Sequence, residues 1–340
     1  MGVGLFGMGW VSSEHIKGYM ANPHCEIKAL ASRRKESAES KKAEFNLDCD
    51  ILDTYDDLLK RDDIDIISMC SPNFLRAEEI IKACGAGKHF FAEKPVAHNL
   101  DELRAIKKAY TDAQKKFKIK SIVGFCGEYY GQFLSIKSLI NKGGLGKIFF
   151  VEVDYWHELG PWWHGWSWGC HTKKGGPSVM LLGGCHAIFV LMRVGGDVEE
   201  VFSYATTGHR TEYEYPPTIT ASVKFKNGAI GKTGGSFEIE SPYTFNIMLH
   251  GSKGSILNEK YYSKEIFAGQ EDFQKFNTTL VNSGEVSHHP FGSCINAFID
   301  DILNDVDSNV RLEYGIKVHE VCMAIDRSAE TGEKVRLPIL

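Results

Sequence analysis

The segment GLFGMGWVSSEH sets Gly4, Gly7 and Gly9 between an apolar run and a helix-like stretch. Glycines so placed let the backbone turn tightly and bring its amide groups up to a pyrophosphate at a helix N-terminus, which is dinucleotide-binding chemistry. Gly7, Gly9, Trp10 and Val11 are the candidate contacts of this loop. Ser12 stands where the third glycine of the pattern would be; it is small enough for helix to pack on strand, so the motif is degraded rather than absent. The next apolar run, IKALASRR, ends in Ser32, Arg33 and Arg34. An acidic residue there would hold a ribose 2′-hydroxyl, whereas a hydroxyl and two guanidinium groups suit a 2′-phosphate, so NADP is favoured over NAD. The competing reading is that the arginines open an exposed helix, or that one stacks on the adenine of NAD.

A second chemical signal is HELGPWWHGWSWGCHTKKGGP, which follows the run IFFVEVDYW. Glycine, proline and tryptophan at this density do not build a regular helix, so a long loop is expected, and loops of this size usually serve a function. Indole faces match the apolar faces of pyranose rings, while ring nitrogens and hydroxyls can meet sugar hydroxyls. Tyr155, His157, Trp162, Trp163, Trp166 and Lys173 are the candidate substrate contacts. The alternatives are an oligomer contact or a loop that packs on itself. The histidines and cysteines here have no zinc spacing, and no metal is expected. Stacking of nucleic-acid bases is excluded for want of a basic groove.

These residues need elements to hold them. Up to about position 124, short apolar runs alternate with amphipathic stretches, which predicts βαβ units on a parallel sheet. Beyond it, IFFVEVDYW, VEEVFSYATT, TITASVKFK, AIGKTGGSFEI and YTFNIMLHG read as strands, with Asn227-Gly228 as a hairpin turn. Helices are expected at 179–193, 291–304 and 314–330. The fold class is therefore an α/β Rossmann domain over 1–124, followed by an α+β domain over 125–340 with a large, mostly antiparallel sheet. The last helix is a candidate to pack back on the first domain. The 340 residues, 43% hydrophobic and 24% charged with a net charge of −5, fit two soluble domains and no nucleic-acid footprint. Nine scattered cysteines without CxxC spacing, and no visible signal segment, point to reduced thiols in the cytoplasm.

Glu93-Lys94-Pro95 after one apolar run, Ser71-Pro72-Asn73 after another, Gly184-Cys185-His186 and the closing RSAETGEKVRLP together resemble the glucose-fructose oxidoreductase, inositol dehydrogenase and MocA-like (Gfo/Idh/MocA) family over nearly the whole chain. The resemblance implies that Ser71, Pro72, Asn73, Glu93, Lys94 and Pro95 border the cofactor. It also implies that Lys94 lies beside the nicotinamide and the reacting hydroxyl, that the lysine-proline peptide is often cis, and that His186 is the acid/base. The roles agree with the chemistry, since oxidising a secondary alcohol needs a hydride acceptor and a proton acceptor of near-neutral pKa. The chain departs from the family pattern in having Leu182 and Phe189 where aspartates are usual, Arg76 where histidine is frequent, and CGEYY at 126–130. Glu128 is the candidate to restore the missing carboxylate and to touch substrate.

The resulting expectation is an NAD(P)-dependent oxidoreductase acting on a secondary hydroxyl of a sugar, sugar derivative or polyol. The first alternative is a glycoside-cleaving enzyme using transient oxidation and elimination. The second is a non-catalytic dinucleotide-binding regulator, motivated by the missing carboxylate. A homodimer or homotetramer is expected from pairing of the second domain's sheet; neither nucleic acid nor membrane is an expected partner.

Overall fold

The structure is a computed structural model that describes residues 1–176, 178–278 and 289–340. Pro177, which closes the tryptophan-rich loop, and 279–288 of the expected second domain lie outside the described residues. The chain divides into two compact units, Met1–Cys126 with His289–Lys317, and Gly127–His288 with Val318–Leu340.

The first unit is built on a six-stranded parallel sheet of β1 (Gly2–Phe6), β2 (Glu26–Ala31), β3 (Asp50–Leu52), β4 (Ile66–Met69), β5 (His89–Ala92) and β6 (Ser121–Val123), in the order β3-β2-β1-β4-β5-β6. Its central strands are short and apolar on both faces, with Val3, Leu5, Ile66, Ile67, Phe90 and Phe91 fully buried, as a sheet covered on both sides requires. Helices α1 (Ser12–Ala21), α2 (Lys35–Glu44), α3 (Tyr55–Leu59), α4 (Arg76–Ala86) and α5 (Leu100–Lys116) make the crossovers. Helix α5 starts with a capping box: Asn99 accepts from the Glu102 amide at 2.9 Å while the Glu102 carboxylate accepts from the His98 amide at 2.8 Å. Every loop leaving β1, β2, β4 and β5 therefore emerges at one edge of the sheet, where open α/β folds bind ligands.

The second unit opens with α6 (Gly131–Asn141), has a short α7 (Trp166–Gly169) within the tryptophan-rich segment and carries a nine-stranded sheet. Its strands are β7 (Ile148–Trp156), β8 (Val198–Thr206), β9 (Thr218–Phe225), β10 (Ile230–Ser236), β11 (Thr244–Gly251), β12 (Gly254–Leu257), β13 (Lys260–Ser263), β14 (Gln274–Lys275) and β15 (Val335–Arg336). The order is β14-β13-β12-β11-β7-β10-β9-β8-β15, antiparallel throughout except for the β7–β10 pair. Residues alternate cleanly along β9 between buried and exposed. The buried face carries Val151, Val153, Ile219, Ala221, Val223 and Leu249. It is met by α8 (Cys185–Gly195) and by α10 (Leu312–Thr331), where the Ser203 hydroxyl donates to the Ile325 carbonyl at 2.6 Å. On the opposite face Tyr204 is 67% and Ile230 57% exposed.

Helix α9 (Phe291–Leu303) lies in the stretch that the sequence assigns to the second domain, yet it groups with the first unit, packed on α1. Apolar periodicity shows that such a helix has a face to bury, not which partner buries it. Among the described residues no helix is long and apolar enough to cross a membrane, and no group of three or more His, Cys, Asp or Glu could hold a metal ion.

Candidate functional site

In the first unit, Gly7 has φ of 90°, and a Cβ there would come within 2.4 Å of the Ser71 backbone. Only glycine lets the loops after β1 and β4 touch in this way. Around Gly9, by contrast, a Cβ would find nothing nearer than the Cys70 carbonyl at 3.9 Å, so the loop leaves an open cradle. The Val11 side chain supplies no cap to the first turn of α1, whose amides are those that anions bind. Trp10, 40% exposed, flanks the cradle. Ser12 is fully buried and its hydroxyl donates to the Gly9 carbonyl at 2.6 Å, closing the turn in place of the missing glycine. Ser32 is half-buried, and Arg33 and Arg34 are exposed, at the end of β2. The residues fit a dinucleotide.

Ser71 is buried, Pro72 exposed, and Asn73 begins a short 3₁₀ turn over Asn73–Leu75 after β4. Arg76 is 1% exposed, and its terminal nitrogens donate to Glu79 at 2.8 Å and to the Ser71 carbonyl at 2.8 Å. Lys94 is half-buried after β5, and its peptide to Pro95 is cis. The neighbouring Glu93 accepts from His15 of α1 at 3.1 Å, and the other ring nitrogen of His15 meets the Ser68 hydroxyl at 2.7 Å. Burial alone would raise the Glu93 carboxyl, but His15, Lys94 and Arg76 outweigh it and hold it below its ordinary range.

In the second unit, His186 is the second residue of α8, which follows a single π turn over Met180–Gly184. A Cβ on Gly183 would strike the Tyr155 ring at 2.6 Å, so the glycine admits that ring against the helix start. Tyr155 then stacks on His186, with ring centroids 6.2 Å apart and planes at 21°. Its hydroxyl lies 3.0 Å from Nδ1 of His157. Burial and the neighbouring Tyr243 push the Tyr155 phenol well above its ordinary pKa, so it keeps its proton beside the His157 ring. Tyr243 stands edge-on to both rings, at 5.5 Å from Tyr155 and 5.0 Å from His157, and Trp162 lies 6.5 Å from His157. Hydroxyl, imidazole and aromatic faces thus cluster about Tyr155 and His157, and Tyr155 joins that cluster to His186.

The other expected substrate contacts go elsewhere. Glu128 is held by Lys137 and by Arg193, the latter at 3.0 and 3.2 Å. These two cations occupy the Glu128 carboxylate, and Arg193 is seven residues beyond His186 on α8. Leu182 and Phe189, at the family's aspartate positions, are buried core. Trp163 packs against Trp168 at 5.1 Å and Trp166 stands edge-on to Tyr213 at 5.3 Å, so both fill the loop's own interior. Tyr213 and Tyr215 close that interior by donating to the Leu159 and Gly169 carbonyls. Lys173 is exposed. The sequence reading passed over Tyr243 and His15. Tyr243 could have been found by alternation, since Phe245 pairs with Tyr155 in register, placing Tyr243 on the same face one step before β11.

Residues 1–121 match the model of the oxidoreductase family, NAD-binding Rossmann fold, and residues 137–337 match that family's C-terminal alpha/beta domain. An uncharacterized oxidoreductase, YrbE, of Bacillus subtilis is 34% identical over 154 residues, 44% of this chain and 42% of that protein's length. Levoglucosan dehydrogenase of Pseudarthrobacter phenanthrenivorans is 24% identical over 334 residues, covering 86% of this chain and 82% of its own. A solved structure of levoglucosan dehydrogenase in complex with NADH superimposes with a TM-score of 0.87 at 21% identity over 100% of both chains, a likeness of fold. Parallel sheet, glycine cradle, cis Lys94-Pro95, mixed nine-stranded sheet and both family models agree: the chain belongs to the Gfo/Idh/MocA oxidoreductase family.

Proposed function

We propose that the protein is an NAD(P)-dependent dehydrogenase that oxidises a secondary hydroxyl of a sugar, sugar derivative or polyol. The observation that carries this reading is the cluster of Tyr155, His157, Tyr243 and Trp162, joined to His186 through the Tyr155 ring, which offers ring faces and hydrogen-bonding groups suited to a polyhydroxylated ligand. The bound dinucleotide would supply the hydride acceptor. Lys94 orients and polarises the reacting oxygen, and His186 takes the hydroxyl proton. Tyr155 steadies the His186 ring by stacking, a task the absent carboxylate performs elsewhere in the family. Gly7, Gly9, Ser71 and the first turn of α1 hold the diphosphate, and Ser32 with exposed Arg33 and Arg34 favours the 2′-phosphate of NADP.

Purified protein, given NAD or NADP and a panel of sugars, inositols and aryl glycosides, is expected to accumulate reduced cofactor, faster with NADP. Lys94→Ala and His186→Ala should each lower kcat/KM by about 100-fold or more. Leu182 and Phe189 motivate a second reading, redox-assisted glycoside cleavage; aglycone release without net reduction would establish it and displace the first. Unchanged behaviour of both variants, with cofactor still bound, would leave a non-catalytic regulator.

We also propose that the face of the nine-stranded sheet carrying Tyr204, Ile230, Phe150 and Met248 pairs with a second copy in a dimer or tetramer. Sedimentation at micromolar concentration should show an oligomer that Ile230→Glu dissociates, and monomer in the unmodified protein refutes it.

A further inference from the structure

Beneath the Glu93-Lys94-Pro95 loop lies a buried set of ionisable groups that the proposed chemistry does not use. His15 is fully buried, Glu93 9% exposed, Arg76 1% and Glu79 3%. Glu79 pairs with Arg76, and Glu93 pairs with His15. His15 is fixed on four sides: Glu93 on one nitrogen, Ser68 on the other, and the rings of Phe91 at 4.5 Å and Phe291 at 5.0 Å. A buried carboxylate is tolerated only when paired and hydrogen-bonded, and a neutral histidine pointing at one would compensate little of its charge. The other ionisable groups around this pair are Cys70 just after β4, Arg76 from α4, Tyr19 from α1 itself, and Cys126 and Cys294 from the segments after β6 and in α9.

We propose that His15, carried as an imidazolium on Glu93, is a positioning residue for Lys94. It holds the carboxylate of the Glu93-Lys94-Pro95 loop inward on α1 and cancels its charge, so the neighbouring ammonium is not drawn to Glu93 in place of a substrate oxygen. This rests on the reading of Lys94 given above. Burial by itself would discharge His15, yet Cys70 and Glu93 together outweigh it and push its pKa up to about 10, consistent with a cation at neutral pH. The same pair ties α1, which begins at the dinucleotide cradle, to the loop that presents Lys94.

The test reads Lys94 without any substrate. Labelling of Lys94 by an amine-selective acylating reagent is followed against pH by peptide mass spectrometry in the full chain, with thermal melting as the folding control. His15→Gln keeps hydrogen bonding to Ser68 and Glu93 but removes the charge, and an uncompensated carboxylate should move the labelling midpoint up by about one pH unit. The double variant His15→Gln/Glu93→Gln removes both charges and should return the midpoint to the wild-type position, although it is structurally the more altered protein. An unmoved midpoint in folded His15→Gln, or a double variant that stays displaced, overturns the proposal. Where His15→Gln does not fold, ring ¹⁵N NMR of the wild-type protein decides: a His15 imidazolium persisting above about pH 8 supports it, and a neutral ring at about pH 7 overturns it. Retention of sugar oxidation by Lys94→Ala would defeat the catalytic reading of Lys94 and leave the labelling result standing.

Discussion

Glu238 shows how one carboxylate can order a site that it does not touch. It accepts from the amides of Gly208, His209 and Arg210 at 2.9–3.2 Å and from the Thr218 hydroxyl at 2.6 Å. Burial alone would raise its pKa, but these donors hold it down at about 2. The loop it pins carries Arg210, Tyr213 and Tyr215, which grip Glu158, Leu159 and Gly169 of the tryptophan-rich loop. Because the folded pKa is depressed, the stabilisation is present above the ordinary value of 4.5 and is lost as pH falls towards about 2. Glu238→Gln should therefore cost about 2 kcal/mol at neutral pH, with the deficit shrinking below the ordinary carboxylate pKa, in urea titrations run across that range. KM for the sugar should rise more than kcat falls. At this scale the sequence was legible where residue type dictates backbone geometry, as for the turn at Gly7 and the cis Lys94-Pro95 peptide, and illegible where partners decide. Glu128 reads as a spare carboxylate until Lys137 and Arg193 are seen on it, and nothing in the residue types says that Trp162 stays outside while Trp163 turns in.

Elements were more legible than contacts. Period-two alternation gave the strands, and the Asn227-Gly228 turn between β9 and β10 has its glycine at φ of 88°, as a tight hairpin demands. The helices expected at 291–304 and 314–330 span Phe291–Leu303 and Leu312–Thr331. The expected helix at 179–193 is instead a π turn leading into Cys185–Gly195. The use of Gly183 there, admitting Tyr155 beside His186, depends on β7 lying alongside. Parallel pairing of β7 with β10 inside an otherwise antiparallel sheet was equally invisible, because alternation fixes which face of a strand is buried and not the direction of its neighbour.

At the scale of the whole molecule, neither unit is one continuous segment, and this sets how the chain can be cut. Residues 1–126 contain all six strands of the parallel sheet, yet α1 is flanked by α9, which also reaches Phe91 of β5 through Phe298. Ile295, Phe298 and Ile299 of α9 are fully buried; the Ile295 side chain lies over Gly18, and Asn296 accepts from Asn22 at 2.8 Å. The strand edge at β6 is finished by the same segment, with the Val123 amide donating to the Val310 carbonyl at 2.9 Å and Lys120 bridging Asp305 and Asp307. Those three side chains alone represent roughly 6 kcal/mol of burial, comparable to the net stability of a typical domain. A fragment of residues 1–126 should therefore be unfolded or aggregating, with no cooperative melt and no measurable dinucleotide binding by calorimetry. The same fragment joined to 289–317 through a flexible linker should melt cooperatively and bind the dinucleotide, because every contact named here lies within that combination. Cooperative folding of 1–126 by itself would show that the returning segment decorates the nucleotide-binding unit and does not complete its core.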